Sequence, residues 1–252
     1  MVDHSNMKLG KALPKHDPRT LALANYLTAD APTPPDATNN LAKVTNLGMM
    51  LNDQLGDCTC ATVGHIIQVD TANNGNQIVL PDSAILSLYE ASCGYDPTNV
   101  FSDQGGVELN VLNYWRQTGV AGHKLDAFAS LEPQNQLHVK QSIWLFGSAY
   151  IGVALPKSAQ NQDVWHVTPG GTQGDATPRS WGGHAIPIVD YNAIGPICIT
   201  WGAPKQMTWG WYFVYCDEAY APLAINDWTT NGTAPNGFNV ASLAADLKAV
   251  TA

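Results

Sequence analysis

Residues 52–61 read NDQLGDCTCA and place two cysteines one residue apart behind a turn that carries amide side chains. Three kinds of chemistry use such a pair: a metal site, a disulfide, or a reactive thiol. Structural zinc normally takes four ligands with paired spacing, and no second Cys-x-x-Cys or His-x-x-x-His follows in the chain. A disulfide between Cys58 and Cys60 would be strained at so short a separation. The pattern therefore favours a reactive thiol over either crosslink.

A helix is predicted to begin at or just before Cys58, because Asp57 and Thr59 are capping residues followed by an apolar run. A cysteine in the first turn of a helix lies near unpaired N–H groups and the positive end of the helix dipole, which lower the pKa of its thiol. Such a thiolate is a nucleophile when an imidazole pairs with it. The alternative is a buried, inert cysteine. We predict the inert role for Cys58 and the nucleophilic role for Cys60.

The segment from Gln54 to Cys60 resembles the papain-like cysteine peptidases, in which a glutamine precedes the catalytic cysteine by six residues. The resemblance implies that the Gln54 amide and the backbone N–H of Cys60 form an oxyanion hole. Such donors stabilise the charge that develops on an attacked carbonyl oxygen.

Later segments are similar to family landmarks in the same order. They are DQGGVELNVLNYWRQTGV, VKQSIWLFGSAYIGVAL, GGHAIPIVDY, ITWG and MTWGWYFVYC. The resemblance implies that His184 is the catalytic histidine and that Trp201 shields it from water. It also implies that Gly105 and Gly106 offer backbone hydrogen bonds to an extended peptide. The alternatives are a core tryptophan and a turn that leads into a helix. Among related proteins, the whole chain looks most similar to papain-like proteins of bacterial and bacteriophage genomes.

The chain departs from this pattern where the family has a third catalytic residue, an asparagine. Alignment on Trp201 puts Ile199 at that place, whereas counting along the hairpin from His184 puts Thr200 there. The Thr200 hydroxyl could hold the imidazole, and we predict that role for it. Asp103 takes the place of a family cysteine near the Gly-Gly segment, and a cation site, a hydrogen-bonded loop clasp or a simple turn residue all fit it. The 53 residues before Gln54 are few for a long inhibitory pro-domain, and we expect no control by one.

Helical patterns dominate the first half of the chain, and β-branched and aromatic runs broken by Gly and Pro dominate the second. We predict strands for four of these runs: AYIGVALP, HAIPIVDYN, PICITWG and GWYFVYC. The predicted fold is α+β: a two-lobed papain-like fold with a helical lobe, then an antiparallel β lobe, and the cleft between them. The predicted divisions are an N-terminal arm (1–50), the papain-like domain (51–220) and a C-terminal tail with a short helix (221–252). Within the domain, the helical lobe covers about 51–135 and the β lobe about 136–220.

The composition limits the partners that the chain can have. A net charge of −9 argues against nucleic acid, because phosphate binding needs a basic surface. The first 20 residues hold no apolar run of signal-peptide length, and the longest apolar runs are too short and interrupted to span a membrane. The sequence thus predicts no membrane partner, and a cytoplasmic or virion-associated location over a secreted one. It indicates no cofactor and no metal.

The predicted function is a cysteine hydrolase, a peptidase that acts on a peptide or protein substrate through Cys60 and His184. Acyl transfer would occur instead if an amine outcompeted water. Two alternatives stay open: a non-catalytic papain-like binding or structural module, such as a subunit of a phage-related particle, and a cell-wall amidase with the same Cys–His chemistry.

Overall fold

A computed structural model of the chain describes residues 4–25 and 32–238. Its α-helices are α1 (Cys58–Asn73), α2 (Asp82–Cys93), α3 (Glu108–Gln117), α4 (Gln136–Phe146), α5 (Trp209–Tyr215) and α6 (Ile225–Trp228). Its strands are β1 (Leu21–Ala22), β2 (Ala127–Ser130), β3 (Ala149–Leu155), β4 (Gly182–Tyr191), β5 (Pro196–Thr200), β6 (Ala203–Gln206) and β7 (Cys216–Leu223). Short 3-10 helices cover Leu23–Asn25, Asn40–Lys43, Val100–Ser102, Lys157–Asn161 and Gly174–Ala176.

The strands form one sheet in the order β1-β2-β7-β3-β4-β5-β6. All neighbours are antiparallel except β1 and β2, which pair in parallel and so attach the N-terminal arm to the sheet edge. The sheet therefore combines strands that lie far apart in the sequence, from β1 to β7. The α+β class and the two-lobed architecture predicted from the sequence are confirmed.

Two main cores underlie the two lobes. One packs helices α1, α2 and α3 around Ile66, Leu88 and Trp115. The other packs the sheet and α4 around Trp165 and Trp211. Helix α1 runs between them, and all 16 of its residues are buried. This burial explains why its own apolar and small side chains occur on every face of the helix rather than on one.

Most predicted elements are found, and one is wrong. Helices α1 to α4 and strands β3 to β5 lie where the sequence patterns placed them. The run GWYFVYC, predicted as a strand, forms helix α5. The Thr208 side chain accepts a hydrogen bond from Trp211 N and caps this helix, and Trp211, Tyr212 and Tyr215 form one buried face. Packing of that face outweighs the preference of aromatic residues for strands.

The predicted divisions of the chain stay a prediction. Strand β2 belongs to the sheet although it lies within 51–135, and β7 continues past residue 220 to Leu223. The predicted C-terminal helix at 240–250 lies outside the described residues.

Candidate active site

A small cavity lies where the N-terminus of α1 meets β4 and the β5–β6 hairpin. Its volume of about 10 Å³ has room for about one water molecule. The lining side chains that could do chemistry are Cys58, His184, Thr200, Asn52 and His65, and Trp201 covers one side. The cavity therefore joins one thiol, two imidazoles, a hydroxyl and an amide.

Cys58 is the first residue of α1, so its sulfur lies at the positive end of a 16-residue helix. The sulfur accepts a hydrogen bond from the backbone N–H of Ala185, at 3.3 Å. Since Ala185 follows His184 on β4, this bond fixes Cys58 beside the predicted histidine. A second bond, from the Tyr150 hydroxyl on β3 to the Thr59 carbonyl at 2.8 Å, holds the first turn of the helix on the sheet.

The structure does not bring Cys60 to this cavity. Residues two apart on an α-helix point about 200° apart, so Cys60 and Cys58 lie on opposite faces of α1. The Cys60 sulfur lies 3.8 Å from Ser92 Oγ on α2, and the side chain is fully buried in the helical lobe. Burial is also the main reason that the pKa of Cys60 is raised well above its usual value.

Gln54 is exposed on the turn before α1 and does not line the cavity. Asn52, which the sequence reasoning missed, is buried there and lies six residues before Cys58. The signal was present, because the six-residue spacing from an amide to a cysteine also fits Asn52 and Cys58. The predicted start of the helix at Cys58 supported the same register.

His184 and Thr200, both predicted, are brought together by the pairing of β4 with β5. The distance from His184 Nε2 to Thr200 Oγ1 is 2.8 Å. When Nε2–H donates to the hydroxyl, the other ring nitrogen, Nδ1, carries no proton and can accept one. Among the described residues Nδ1 has no hydrogen-bond partner, although it is buried. The ring thus has one oriented nitrogen and one unengaged nitrogen, as a general base requires.

Trp201 stacks on the His184 ring, with centroids 4.6 Å apart and planes 17° apart. The backbone explains this position: Thr200 pairs with Ala203, leaving Trp201 and Gly202 as a two-residue hairpin loop with positive φ values of 46° and 72°. Such loops match the twist of the strands, and they favour glycine or asparagine over tryptophan. A tryptophan held in this backbone conformation is strained. Such strain is typical of functional sites, and here it places the indole ring against His184.

His65 lies seven residues after Cys58, which puts it on the same face of α1 two turns away. Counted from Cys60, the same histidine lies five residues on and would point to a different face of the helix. Burial lowers the pKa of His65 to about 4. The neutral ring forms part of the inner wall of the cavity.

Burial also keeps Cys58 and His184 uncharged. It raises the pKa of Cys58 to about 12, while hydrogen bonds from the N–H groups of Ala185 and Gly10 act in the opposite direction. It lowers the pKa of His184 to about 3. At neutral pH the pair is therefore a thiol and a neutral imidazole.

An N-terminal segment, residues 4–12, which we call the cover segment, lies over Trp201 at the side of the cavity. His4 stacks on the outer side of Trp201, with centroids 5.0 Å apart. The Trp201 indole N–H donates to the carbonyl of Lys8, at 3.2 Å. Further along, the backbone of Gly10 acts to lower the pKa of the Cys58 thiol, against the larger effect of burial.

Gly106, predicted to bind an extended peptide, binds the cover segment. Its N–H donates to the Gly10 carbonyl at 2.7 Å, and its carbonyl accepts from Ala12 N at 2.9 Å. Gly105 has φ +78°, and a Cβ there would overlap the Gly10 carbonyl oxygen. Likewise, a Cβ on Gly10 would overlap the Gly56 carbonyl oxygen. Glycines on both sides thus permit this close approach of two backbones.

Asp103 connects the turn before α1 with the loop that contains Gly105. Its carboxylate accepts hydrogen bonds from Gly56 N at 2.9 Å and from the Tyr89 hydroxyl at 2.7 Å. The Tyr89 hydroxyl in turn accepts from Gly105 N. Of the open readings of Asp103, the structure shows the hydrogen-bonded loop clasp.

Within residues 4–25 and 32–238, no three His, Cys, Asp or Glu side chains are grouped so that they could share a metal ion. In the same ranges, no helix combines the length and apolar character needed to cross a bilayer.

No protein-family model and no curated protein sequence matches this chain. Its structure is similar to solved cysteine proteases. Xylellain, a cysteine protease from Xylella fastidiosa, matches with a TM-score of 0.67 at 12% identity, over 87% of this chain and 97% of xylellain. A Carica candamarcensis cysteine protease solved in complex with E-64 matches with a TM-score of 0.53 at 16% identity, over 75% of this chain and 98% of that one.

Digestive procathepsin L 3 of Tenebrio molitor matches with a TM-score of 0.58 at 11% identity, over 87% of this chain and 77% of that one. Identities this low show a shared fold and leave the activity to be argued from the site. The chain has the two-lobed fold of the papain-like cysteine proteases.

Proposed function

We propose that the chain is a papain-like cysteine hydrolase, a peptidase whose nucleophile is Cys58 and whose base is His184. Cys58 takes the role that the sequence pattern gave to Cys60, and Asn52 takes the role given to Gln54. Thr200 keeps its predicted role as the residue that orients the imidazole.

In the proposed reaction, His184 Nδ1 accepts the proton of the Cys58 thiol, and the sulfur attacks a peptide carbonyl carbon. The negative charge that develops on the carbonyl oxygen is stabilised by the Asn52 amide and the Cys58 N–H. The protonated His184 then gives its proton to the leaving amine as the carbon–nitrogen bond breaks. Water hydrolyses the resulting thioester and frees Cys58.

One observation carries this proposal: a thiol at a helix N-terminus and an imidazole with one oriented and one unengaged nitrogen line the same cavity. Three independent elements (α1, β4 and the β5–β6 hairpin) supply the parts. A chance cluster in a hydrophobic core would not need a tryptophan in a strained turn against the histidine.

The cover segment must move before a substrate can bind beside Cys58, because it already occupies the main-chain groups of Gly106 and Gly183. A Gly10→Ala variant should lift the segment, since the added Cβ has no room against Gly56. The thiol would then be more hydrated, and the helix dipole would favour the thiolate.

The test is alkylation by iodoacetamide between pH 5 and 9, with the modified residue identified by mass spectrometry. In the wild-type chain, a Cys58 pKa of about 12 keeps the labelling slow, and the rate should still be rising at pH 9. In Gly10→Ala, Cys58 labelling at pH 7 should rise at least about tenfold, because each unit by which the pKa falls gives tenfold more thiolate. Gly10→Ala should also cleave denatured casein, and adding Cys58→Ala or His184→Ala should abolish that cleavage.

Cys60→Ala is the matched control, because it removes a thiol two residues away on the opposite helix face. It should keep both the labelling and the cleavage. Cleavage that depends on Cys60 and survives Cys58→Ala would overturn the assignment. If Cys58 in Gly10→Ala reacts no faster than a free thiol and casein stays intact, the non-catalytic binding module is the better account.

A further inference from the structure

Beside the candidate site lies an acidic pocket, formed by Glu108, Asp217 and Glu218, which holds the side chain of Lys11. Lys11 Nζ lies 2.9 Å from Asp217 Oδ1 and 2.8 Å from Glu218 Oε1. Glu108 is fully buried, and its charge also acts on Lys11. Lys11 itself is only 3% exposed, which is unusual for a lysine on a surface arm.

The backbone of Lys11 binds in the groove where the candidate site would hold a peptide. Its N–H donates to the carbonyl of Gly183, the residue before His184, at 3.0 Å. Its carbonyl accepts from Arg179 Nη2 at 2.9 Å. Together with the two bonds to Gly106, these contacts hold an extended strand by main-chain groups, which any peptide can supply. On that strand, Lys11 is the residue whose side chain enters the acidic pocket.

Gly152 on β3 gives the pocket its depth. It lies in register between Ala185 of β4 and Glu218 of β7. A Cβ at this position would overlap Lys11 Cε and lie 2.6 Å from Glu108 Oε1. Since its neighbours on β3 are large or β-branched, glycine here leaves room for a long side chain from the groove.

The acidic side chains favour a cation in the pocket. Arg179 lies 3.5 Å from Asp217 Oδ2, at the rim. Without Lys11, three carboxylates would face this single arginine, and both Glu108 oxygens lack a hydrogen-bond partner among the described residues. Burying carboxylates without a partner is costly, so the pocket selects a basic group strongly over an apolar one.

We propose that this pocket is the specificity pocket of the site and takes a Lys or Arg side chain of a peptide substrate. Lys11 is its internal occupant, which substrate must displace. The proposal rests on the proposed function, because it names the substrate class of the same site.

The first experiment measures binding and needs no activity. Fluorescein-labelled peptides copy residues 8–14, KLGKALP, with either Lys or norleucine at the position of Lys11. They are titrated by fluorescence anisotropy against full-length Lys11→Ala/Cys58→Ala, in which the pocket is vacated. We expect the Lys peptide to bind at least tenfold more tightly, and Glu218→Gln or Asp217→Asn in the same background to reduce that preference at least tenfold. Equal affinity for the two peptides would overturn the proposal.

The second experiment measures selectivity of cleavage, using a positional library of fluorogenic peptides with Lys, Arg, Leu, norleucine or Glu at each site. The enzyme is the full-length Lys11→Ala variant. If that variant does not fold, Gly10→Ala replaces it, because it keeps Lys11 but displaces the cover segment from the groove. A basic residue should be preferred at least tenfold at one position, and Glu218→Gln should reduce this preference, measured as the ratio of the Lys rate to the Leu rate, at least tenfold.

The outcomes separate the two proposals. Cleavage that ignores charge would leave the peptidase intact and make the acidic pocket a fastening for the arm only, which overturns the inference. If the Lys peptide binds selectively but no peptide is cleaved and Cys58 in Gly10→Ala is unreactive, the proposed function fails, and with it the assignment of the pocket to a substrate.

Discussion

The hydrogen bond between His184 Nε2 and Thr200 Oγ1 sets the orientation of the imidazole in the candidate site. Threonine can do this because its hydroxyl both donates and accepts, and because β5 holds it directly opposite the ring. Trp201 restrains the same ring from one face by stacking. Orientation of the base is therefore shared between a polar contact and an aromatic one.

Replacing Thr200 with Val keeps the shape of the side chain and removes the hydroxyl. In the Gly10→Ala background, kcat for peptide hydrolysis should fall about tenfold or more, because a base that can rotate transfers protons less effectively. KM should change little, since Thr200 does not line the groove that holds the cover segment. Thr200→Ser, which restores the hydroxyl, should recover most of the rate. Equal rates in Thr200→Val and its parent would show that Trp201 alone is enough to orient the ring.

Two loops built on glycine position the elements of the site. The β5–β6 loop turns in two residues, Trp201 and Gly202, and a Cβ on Gly202 would lie 2.8 Å from the Gly48 carbonyl oxygen. The other loop, around Gly105 and Gly106, approaches the cover segment so closely that side chains have no room there. In both cases backbone conformation, rather than a side chain, puts the functional groups within reach.

Gly202→Ala tests the β5–β6 loop. It combines a positive φ of 72° with a close contact, so the free energy of unfolding in urea should fall by about 1–3 kcal/mol. Gly210→Ala is the matched control, because Gly210 lies in helix α5 and an added Cβ would meet only Thr208 Oγ1, at 3.9 Å. That change should raise the free energy of unfolding by about 0.5–1 kcal/mol. The same loss in both variants would mean that the loop geometry is not what Gly202 provides.

At the scale of the whole molecule, the cover segment completes the cleft between the two lobes. It bonds to Gly106 on the helical side and to Gly183, the residue before His184, on the sheet side. We expected no control by a long pro-domain, and that expectation rested only on the number of residues before Gln54. A segment as short as residues 4–12 is enough to occupy the main-chain groups of Gly106 and Gly183 in this structure.

Hydrogen exchange can test whether the cover segment opens independently of the fold. In Gly10→Ala, the amides of Lys11, Ala12 and Gly106 should exchange at least about tenfold faster than in the wild type, because their partners lie across the lifted segment. Amides in the middle of α1 and β3 should keep their protection. Faster exchange throughout α1 would indicate instead that the segment is an integral part of the core.

The sequence by itself determined the fold class, most of the helices and strands, and the pair formed by His184 and Thr200. The helices and strands follow from local patterns of apolar and capping residues, whereas the two-lobed fold and the roles of His184 and Thr200 follow from the resemblance to papain-like peptidases. The sequence also supplied a six-residue spacing from amide to cysteine, but this spacing fits both Gln54 with Cys60 and Asn52 with Cys58. Local information could not separate the two.

Only the tertiary structure decided between the two cysteines, because β4 packs against one face of α1 and α2 against the other. The face turned to β4 carries Cys58, and that packing sets Cys58 beside His184 while Cys60 faces α2. The acidic pocket is equally a product of long-range packing. Lys11, Glu108 and Glu218 are far apart in the chain, and the sheet and the cover segment bring their charges together.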